Sequence, residues 1–185
     1  MEWAVRLFQA GDKAVHNVRL IFSDGEELGE LGVQSQGAYS LAALFRKLNI
    51  TNDDIFVFDC MGRGNIPILT QTVLPKGVGH DFIDSFRELE RRAQLLMKSV
   101  CGERWYSLPC NYSDNAGFIA NGIPAVAITM LPENEIIDVV RGNMPKTWAL
   151  NHTMEDNLYS LDCEAFEITR QILDKLGSML TLHNH

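Results

Sequence analysis

A few carboxylate and imidazole side chains in this sequence have the types and spacing that metal chemistry requires. Glu26 and Glu27 stand side by side, and Asp59 closes an apolar run. His152 lies four residues before Asp156. Carboxylate oxygens and neutral imidazole together suit zinc, and of two adjacent glutamates one can bind metal while the other takes a proton from metal-bound water. The pattern therefore indicates metal-assisted hydrolysis, provided that a metal is present.

Each of these positions also has a simpler interpretation. An isolated Glu-Glu pair is usually a solvated turn, and a lone histidine is usually a satisfied surface or core residue. Asp59 favours the functional interpretation, because Phe56 and Phe58 mark the preceding strand as buried. Ligands of α/β sheets gather at the carboxyl ends of the strands. We therefore expect the paired glutamates, Asp59 and His152 to converge at one end of the sheet.

The elements that must position these side chains alternate between strands and helices. Apolar and β-branched runs predict strands, and apolar residues at helical spacing predict helices. The predicted strands are Asn17 to Phe22, Asp54 to Asp59 and Ile123 to Thr129, and the predicted helices are Glu2 to Gln9, Gly37 to Leu48, His80 to Val100 and Cys163 to Leu180. A Gly- and Pro-rich loop is predicted from Gly62 to Gly79. The alternation predicts an α/β fold with helices on both faces of the sheet.

Length, composition and charge indicate one compact globular domain. The chain has 185 residues, of which 46% are hydrophobic and 22% charged. A net charge of −8 argues against a nucleic-acid partner, because phosphate binding needs clustered Lys and Arg. No apolar stretch reaches the roughly 20 residues that cross a bilayer, and no leader opens the chain. We expect no membrane partner and a cytoplasmic location, with the four cysteines as free thiols.

Four motifs, in their order along the chain, resemble the zinc aminopeptidases of metallopeptidase family twenty-eight. This family includes bacterial leucyl aminopeptidases and, as single-zinc relatives, glutaminyl cyclases. The motifs are FSDGEELGELG, FDCMGRG, YSDNAGFIANGIPAVAIT and NHTMEDN, and the resemblance covers nearly the whole chain. The resemblance implies a single zinc-exopeptidase-like domain over residues 1–185. Its fold would be a three-layer α/β/α arrangement around a mostly parallel or mixed sheet, with a site for two zinc ions.

The resemblance also implies roles for individual residues. Glu26 is similar to the general base of the family, and Glu27 to a zinc ligand. Asp59 is similar to a ligand of the second zinc, and His152 to the last ligand of the first. These roles imply a zinc-bound water that Glu26 deprotonates for attack on the scissile carbonyl.

The sequence departs from the family pattern in two places. Asp114 lies in a motif that usually reads Ser-Asp-His, so Asn115 replaces a histidine, and both residues are candidates for substrate binding. The family elements His-x-Asp and Gly-Ala-x-Asp, which supply one ligand and the bridging carboxylate, have no counterpart here. Of five expected ligands, three remain: Glu27, Asp59 and His152. We expect an amino-terminally truncated chain that holds zinc weakly or not at all.

Three functional hypotheses follow from these observations. The leading one is the carboxyl-terminal part of a zinc aminopeptidase that removes N-terminal residues from peptides and is inactive alone. The second is a non-catalytic binding or interaction homologue with remnant metal ligands. The third is a glutaminyl cyclase-like enzyme or another hydrolase that recruits a different ligand. The retained Glu26 and His152 favour the first, and a homo-oligomer is compatible with each.

Overall fold

The computed structural model describes residues 4–5, 18–25, 30–51, 53–110 and 113–181. Its sheet has four strands in the order β1-β4-β2-β3. Strand β4 runs parallel to β1 and antiparallel to β2, and β2 runs parallel to β3. The strand bounds are Ile55–Phe58 for β1, Ile66–Thr70 for β2, Tyr106–Leu108 for β3 and Ala125–Leu131 for β4. The predicted mixed sheet is confirmed.

Six α-helices are present in the described ranges. They are α1 at Gly37–Lys47, α2 at His80–Cys101, α3 at Asn115–Ala120, α4 at Ile136–Val140, α5 at Lys146–Ala149 and α6 at Cys163–Thr181. Short 3₁₀ turns cover Val33–Ser35, Glu133–Glu135 and Leu158–Ser160. The predicted helices at α1, α2 and α6 are confirmed to within a residue. None of the helices in these ranges is long and apolar enough to cross a membrane.

The helices begin and end where local chemistry dictates. In α1, Ala38, Ala42 and Phe45 recur at helical spacing and are buried, so one face of the helix packs on the core. The helix stops before Asn49, which adopts a positive φ of 59°. Helix α2 ends at Cys101, and the next residue, Gly102, has a φ of 61° that reverses the chain without the penalty of a side chain.

The core divides between the two faces of the sheet. Ile66 and Ile68 of β2 pack in a smaller cluster with Ile136 and Val139 of α4. Leu69 belongs to the larger cluster, which also takes the buried faces of α1, α2, α3 and α6. Successive strand residues point to opposite faces, so the two clusters lie on opposite sides of β2. This arrangement confirms the predicted α/β fold with helices on both faces of the sheet.

Two sequence predictions are wrong in detail. Residues 18–22, the described part of the predicted first strand, join no ladder, and Leu20, Ile21 and Phe22 are exposed. The predicted loop from Gly62 to Gly79 contains β2, whose five residues are all buried. Pro67 can sit in this interior strand because β3 pairs only with the three residues that follow it. The predicted helix Glu2 to Gln9 falls outside the described residues except at positions 4 and 5, which are helical as predicted.

Candidate metal and substrate site

Asp59 lies at the carboxyl end of β1, where the sequence places it. Its backbone N–H donates to the carbonyl of Ile128 in β4 over 3.1 Å. Because β1 and β4 are parallel, their carboxyl ends open at the same edge of the sheet. The half-buried Asp59 therefore stands at the edge where α/β folds bind ligands.

The segment that carries His152 reaches this edge through one side-chain contact. Asn151 Nδ2 donates a hydrogen bond to Cys60 Sγ over 3.3 Å, so the residue before His152 contacts the residue after Asp59. Cys60 and His152 have positive φ values of 51° and 63°, a backbone conformation that non-glycine residues seldom adopt. Strained backbone of this kind concentrates at functional sites. We call residues 59–64 and 151–162 together the loop pair.

Arg63 holds the loop pair together more firmly. Its guanidinium donates to the carboxylate of Asp156 and, through Nε, to the carbonyl and hydroxyl of Ser160 over 3.2 and 3.0 Å. The backbone N–H of Asp162 donates to the carbonyl of Gly62 over 2.9 Å. Only 11% of the Arg63 side chain is exposed, but 46% of the Asp156 side chain is. Water therefore screens the ion pair with Asp156, while the contacts to Ser160 are better protected.

Burial controls the ionisation of the Cys60 thiol within the loop pair. Desolvation, followed by the charge of the neighbouring Asp59 carboxylate, raises the pKa of Cys60 to about 12. A hydrogen bond with Asp59 acts in the same direction, while the one from Asn151 lowers the pKa. The thiol is therefore neutral at physiological pH and serves as a weak hydrogen-bond partner for both loops.

A second group of polar residues surrounds the chain just before the paired glutamates. Ser23 Oγ donates a hydrogen bond to Oδ2 of Asp114, and Asp114 is the residue that precedes α3. Asp114 and Asn115 are only 7% and 5% exposed. Asn115 Nδ2 lies 3.5 Å from Thr72 Oγ1, and Asp114 Oδ1 has no hydrogen-bond partner among the described residues. We call Ser23–Gly25 with residues 36–39 and 113–117 the helix junction.

Two glycines allow the backbones of the helix junction to approach closely. A Cβ atom at Gly37 would lie 2.1 Å from the carbonyl oxygen of Asp24, and one at Gly117 would lie 2.6 Å from the backbone nitrogen of Tyr39. The N–H of Gly37 donates to the carbonyl of Gly25 over 2.9 Å. The segment that leads into Glu26 is thus fixed against the first turn of α1.

The predicted site residues divide between these two regions. Asp59 and the segment of His152 meet in the loop pair, and Asp114 and Asn115 are buried in the helix junction. Glu26 and Glu27 lie outside the described residues, so their expected convergence with Asp59 and His152 stays a prediction. Within the described ranges, no three His, Cys, Asp or Glu side chains form a group that could hold a metal ion.

Sequence reasoning missed the side chains that connect the loops. Cys60 and Arg63 lie inside a motif that was noted for Asp59 alone, and Asn151 stands directly before the histidine. Each makes a contact with a residue more than 90 positions away. One sequence feature could have indicated the link between the loops. The cationic Arg63 follows the candidate ligand Asp59, and the acidic Asp156 follows the candidate ligand His152, so the two charges could pair.

The fold is similar to that of solved aminopeptidase structures. Two structures of the LapA aminopeptidase from Legionella pneumophila match with TM-scores of 0.57 and 0.59 at 16% sequence identity. The matches cover 81% and 84% of this chain but only 36% and 39% of LapA. The chain thus spans well under half the length of these structures. No curated protein matches the sequence.

The family follows from the sequence profile of Peptidase family M28, which matches residues 1–176. The match extends over nearly the whole chain and includes every candidate site residue named above. The chain belongs to Peptidase family M28. The resemblance noted from the four motifs is confirmed.

Proposed function

We propose that this chain carries part of the active site of a zinc-dependent aminopeptidase, a hydrolase that removes N-terminal residues from peptides. Family membership supports a peptidase. The observation that carries the proposal is the hydrogen bond from Asn151 Nδ2 to Cys60 Sγ. It brings the segments of two candidate ligands, Asp59 and His152, to the same edge of the sheet, although they are distant in sequence.

The donor types at this edge fit zinc, but the described residues do not complete a site. A carboxylate and an imidazole are ordinary zinc ligands, and a catalytic zinc needs three protein ligands. Glu27 would add a third donor beside Asp59 and His152. In the proposed two-zinc site these three residues serve different metals, so donors beyond these three are required. We accordingly propose weak zinc binding by the chain alone.

In this proposal the residues of the chain have separate tasks. Zinc, when bound, polarises the scissile carbonyl and lowers the pKa of a bound water to about 7. Glu26 would accept a proton from the attacking water at a carboxylate oxygen and pass it to the leaving amine. Asp59, Glu27 and His152 would hold the metals. Asp114 accepts a hydrogen bond from Ser23, which lies three residues before Glu26.

The proposal can be tested in the complete gene product with matched variants. Glu26→Gln should keep zinc and lose about 10²–10⁴-fold in turnover of aminoacyl nitroanilides. Its control is Glu30→Gln, which alters an exposed glutamate in the same segment. His152→Ala should lose both zinc and turnover, whereas His80→Ala, at the exposed start of α2, should keep both.

Three results would contradict this assignment. A complete protein that binds two zinc ions but hydrolyses no aminoacyl, dipeptide or glutaminyl substrate would favour the non-catalytic binding homologue. Cyclisation of glutaminyl substrates without peptide hydrolysis would favour the glutaminyl cyclase-like enzyme. Unchanged turnover in Glu26→Gln would show that the paired glutamates do not divide the work as proposed.

A further inference from the structure

The polar contacts of the helix junction surround a short stretch of chain. Before Glu26, the Ser23 hydroxyl donates to Asp114 and the carbonyl of Gly25 accepts from the N–H of Gly37. After it, the backbone N–H of Leu31 donates to Ser35 Oγ over 3.2 Å. The paired glutamates are therefore connected on both sides to residues with fixed partners.

Among the described residues, the Ser23 contact links this stretch to a distant part of the sequence through two side chains. Ser23 is three residues before Glu26, so the extended chain between them spans at most about 10 Å. Asp114 lies 91 residues further on and belongs to the tightly packed start of α3. Gly117 brings α3 so close to α1 that a methyl group would collide with the α1 backbone. A contact to Asp114 is thus a contact to the rigid part of the fold.

The burial of Asp114 makes this contact more consequential than a surface hydrogen bond. The residue is 7% exposed, Oδ2 accepts from Ser23, and Oδ1 has no partner within the described part of the chain. A buried carboxylate needs donors, because it has lost its water. If the Ser23 hydroxyl were removed, neither oxygen would keep a partner among the described residues.

We infer that Ser23 and Asp114 are positioning residues that fix the approach of the chain to the general base Glu26 and the ligand Glu27. The inference rests on the proposed function for the roles of the two glutamates. The contact itself does not depend on zinc or on catalysis. Misplacement of a reacting group by about 1 Å can cost 10²-fold in rate, so a loosened approach should lower kcat more than it alters KM.

Hydrogen exchange by mass spectrometry, followed by steady-state kinetics, tests this role in the complete gene product. Ser23→Ala should increase exchange about fivefold or more in residues 31–37, where the N–H groups of Leu31, Ser35 and Gly37 have acceptors, with little change in α2 and α6. It should also lower kcat about 10-fold or more at nearly constant KM. Ser99→Ala is the control, because that hydroxyl bonds only to Leu96 of its own helix.

Substitutions of Asp114 separate positioning from direct chemistry. Asp114→Ala should loosen the same segments, whereas Asp114→Asn keeps an acceptor oxygen for Ser23 and should restore most of the protection and rate. Unchanged exchange in both Ser23→Ala and Asp114→Ala would overturn the inference. Loss of kcat in Asp114→Asn with normal exchange would also overturn it, because the charge itself would then act. Hydrogen exchange can be measured in a protein that has no activity. An inactive wild type would therefore refute the proposed function but not the positioning contact between Ser23 and Asp114.

Discussion

The loop pair and the helix junction hold candidate site residues in different ways. The loop pair is joined by long side chains, and its histidine is exposed. In the helix junction Asp114 and Asn115 are buried although Ser23–Gly25 are exposed, and the backbones approach so closely that only glycine fits at Gly37 and Gly117. The segment that leads to the proposed base is thus held by rigid packing, while the segment of a proposed ligand is held by contacts that can open. We expect the loop pair to be the more mobile of the two regions.

The largest effect should come from filling the space at the helix junction. Gly37→Ala places a methyl group 2.1 Å from the Asp24 carbonyl oxygen, and we expect a loss of about 3 kcal/mol or more in unfolding free energy. Gly79→Ala is the matched control, since nothing lies within 4 Å of its Cβ position. Urea unfolding monitored by circular dichroism measures both. Equal stability of the two variants would show that the backbone of the helix junction moves to accommodate the added methyl group.

The next effect concerns Arg63 in the loop pair. Arg63→Met keeps the aliphatic stem but removes the contacts to Asp156 and Ser160. We expect a loss of about 1–2 kcal/mol in unfolding free energy, together with faster hydrogen exchange in residues 151–162. The control is Arg91→Met, whose guanidinium bonds only the exposed Glu88 of the same helix. Faster exchange spread over the whole chain would contradict the local role of Arg63.

A smaller effect is expected at the contact that joins the two loops through sulfur. Asn151→Ala removes the hydrogen bond to Cys60, and because sulfur is a weak acceptor the unfolding free energy should fall by only about 0.5–1 kcal/mol. A double-mutant cycle with Cys60→Ala isolates the coupling between the two side chains. Additive losses in the cycle would mean that the two loops are not coupled through this pair.

The smallest effect is chemical and leaves the fold intact. The raised pKa of Cys60, about 12, leaves only about 0.1% thiolate at pH 9. Iodoacetamide at that pH should label the exposed Cys163 in the native protein and leave Cys60 unmodified until urea is added. The raised pKa also means that the contribution of Cys60 to stability is complete below pH 9 and is lost as the pH approaches 12. Peptide mapping by mass spectrometry reads the labelling, and rapid native labelling of Cys60 would contradict its burial.

Sequence patterns predict the helices and strands better than they predict which strands pair in the sheet. The apolar runs at residues 18–22 and 125–131 look alike, yet only the second lies between two strands, β1 and β2, and is fully buried. In the first, Arg19 forms an ion pair with Asp53 and lies over the ring of Phe45, while the apolar side chains face solvent. Partner strands are a long-range property that a local pattern does not contain. The same reason explains why β2, with its proline, was predicted as loop.

The candidate site residues could be predicted from the sequence, but the contacts that hold their segments in place could not. Asp59 is found at the strand end where the pattern places it, because the apolar run and the position of its last residue are local features. The expected burial is wrong in degree, since all four residues of β1 are only half-buried. The contacts of Arg63 with Ser160, and of Ser23 with Asp114, connect positions more than 90 residues apart. The contact of Ser23 with Asp114 depends on the packing of α1 against α3. The contact of Arg63 with Ser160 depends on the path of the chain after β4, which brings residues 151–162 back to the end of β1. The sequence shows neither directly.

The exposed segment at residues 18–22 has a consequence for handling the protein. Leu20, Ile21 and Phe22 form a β-prone apolar run without proline, and Phe22 is 75% exposed. Such runs template intermolecular strand pairing and lead to aggregation. Arg19 and Asp24 flank the run as charged gatekeepers, and the net charge of −8 keeps molecules apart. Salt screens that repulsion, so the chain should stay monodisperse at low ionic strength and precipitate as salt is added.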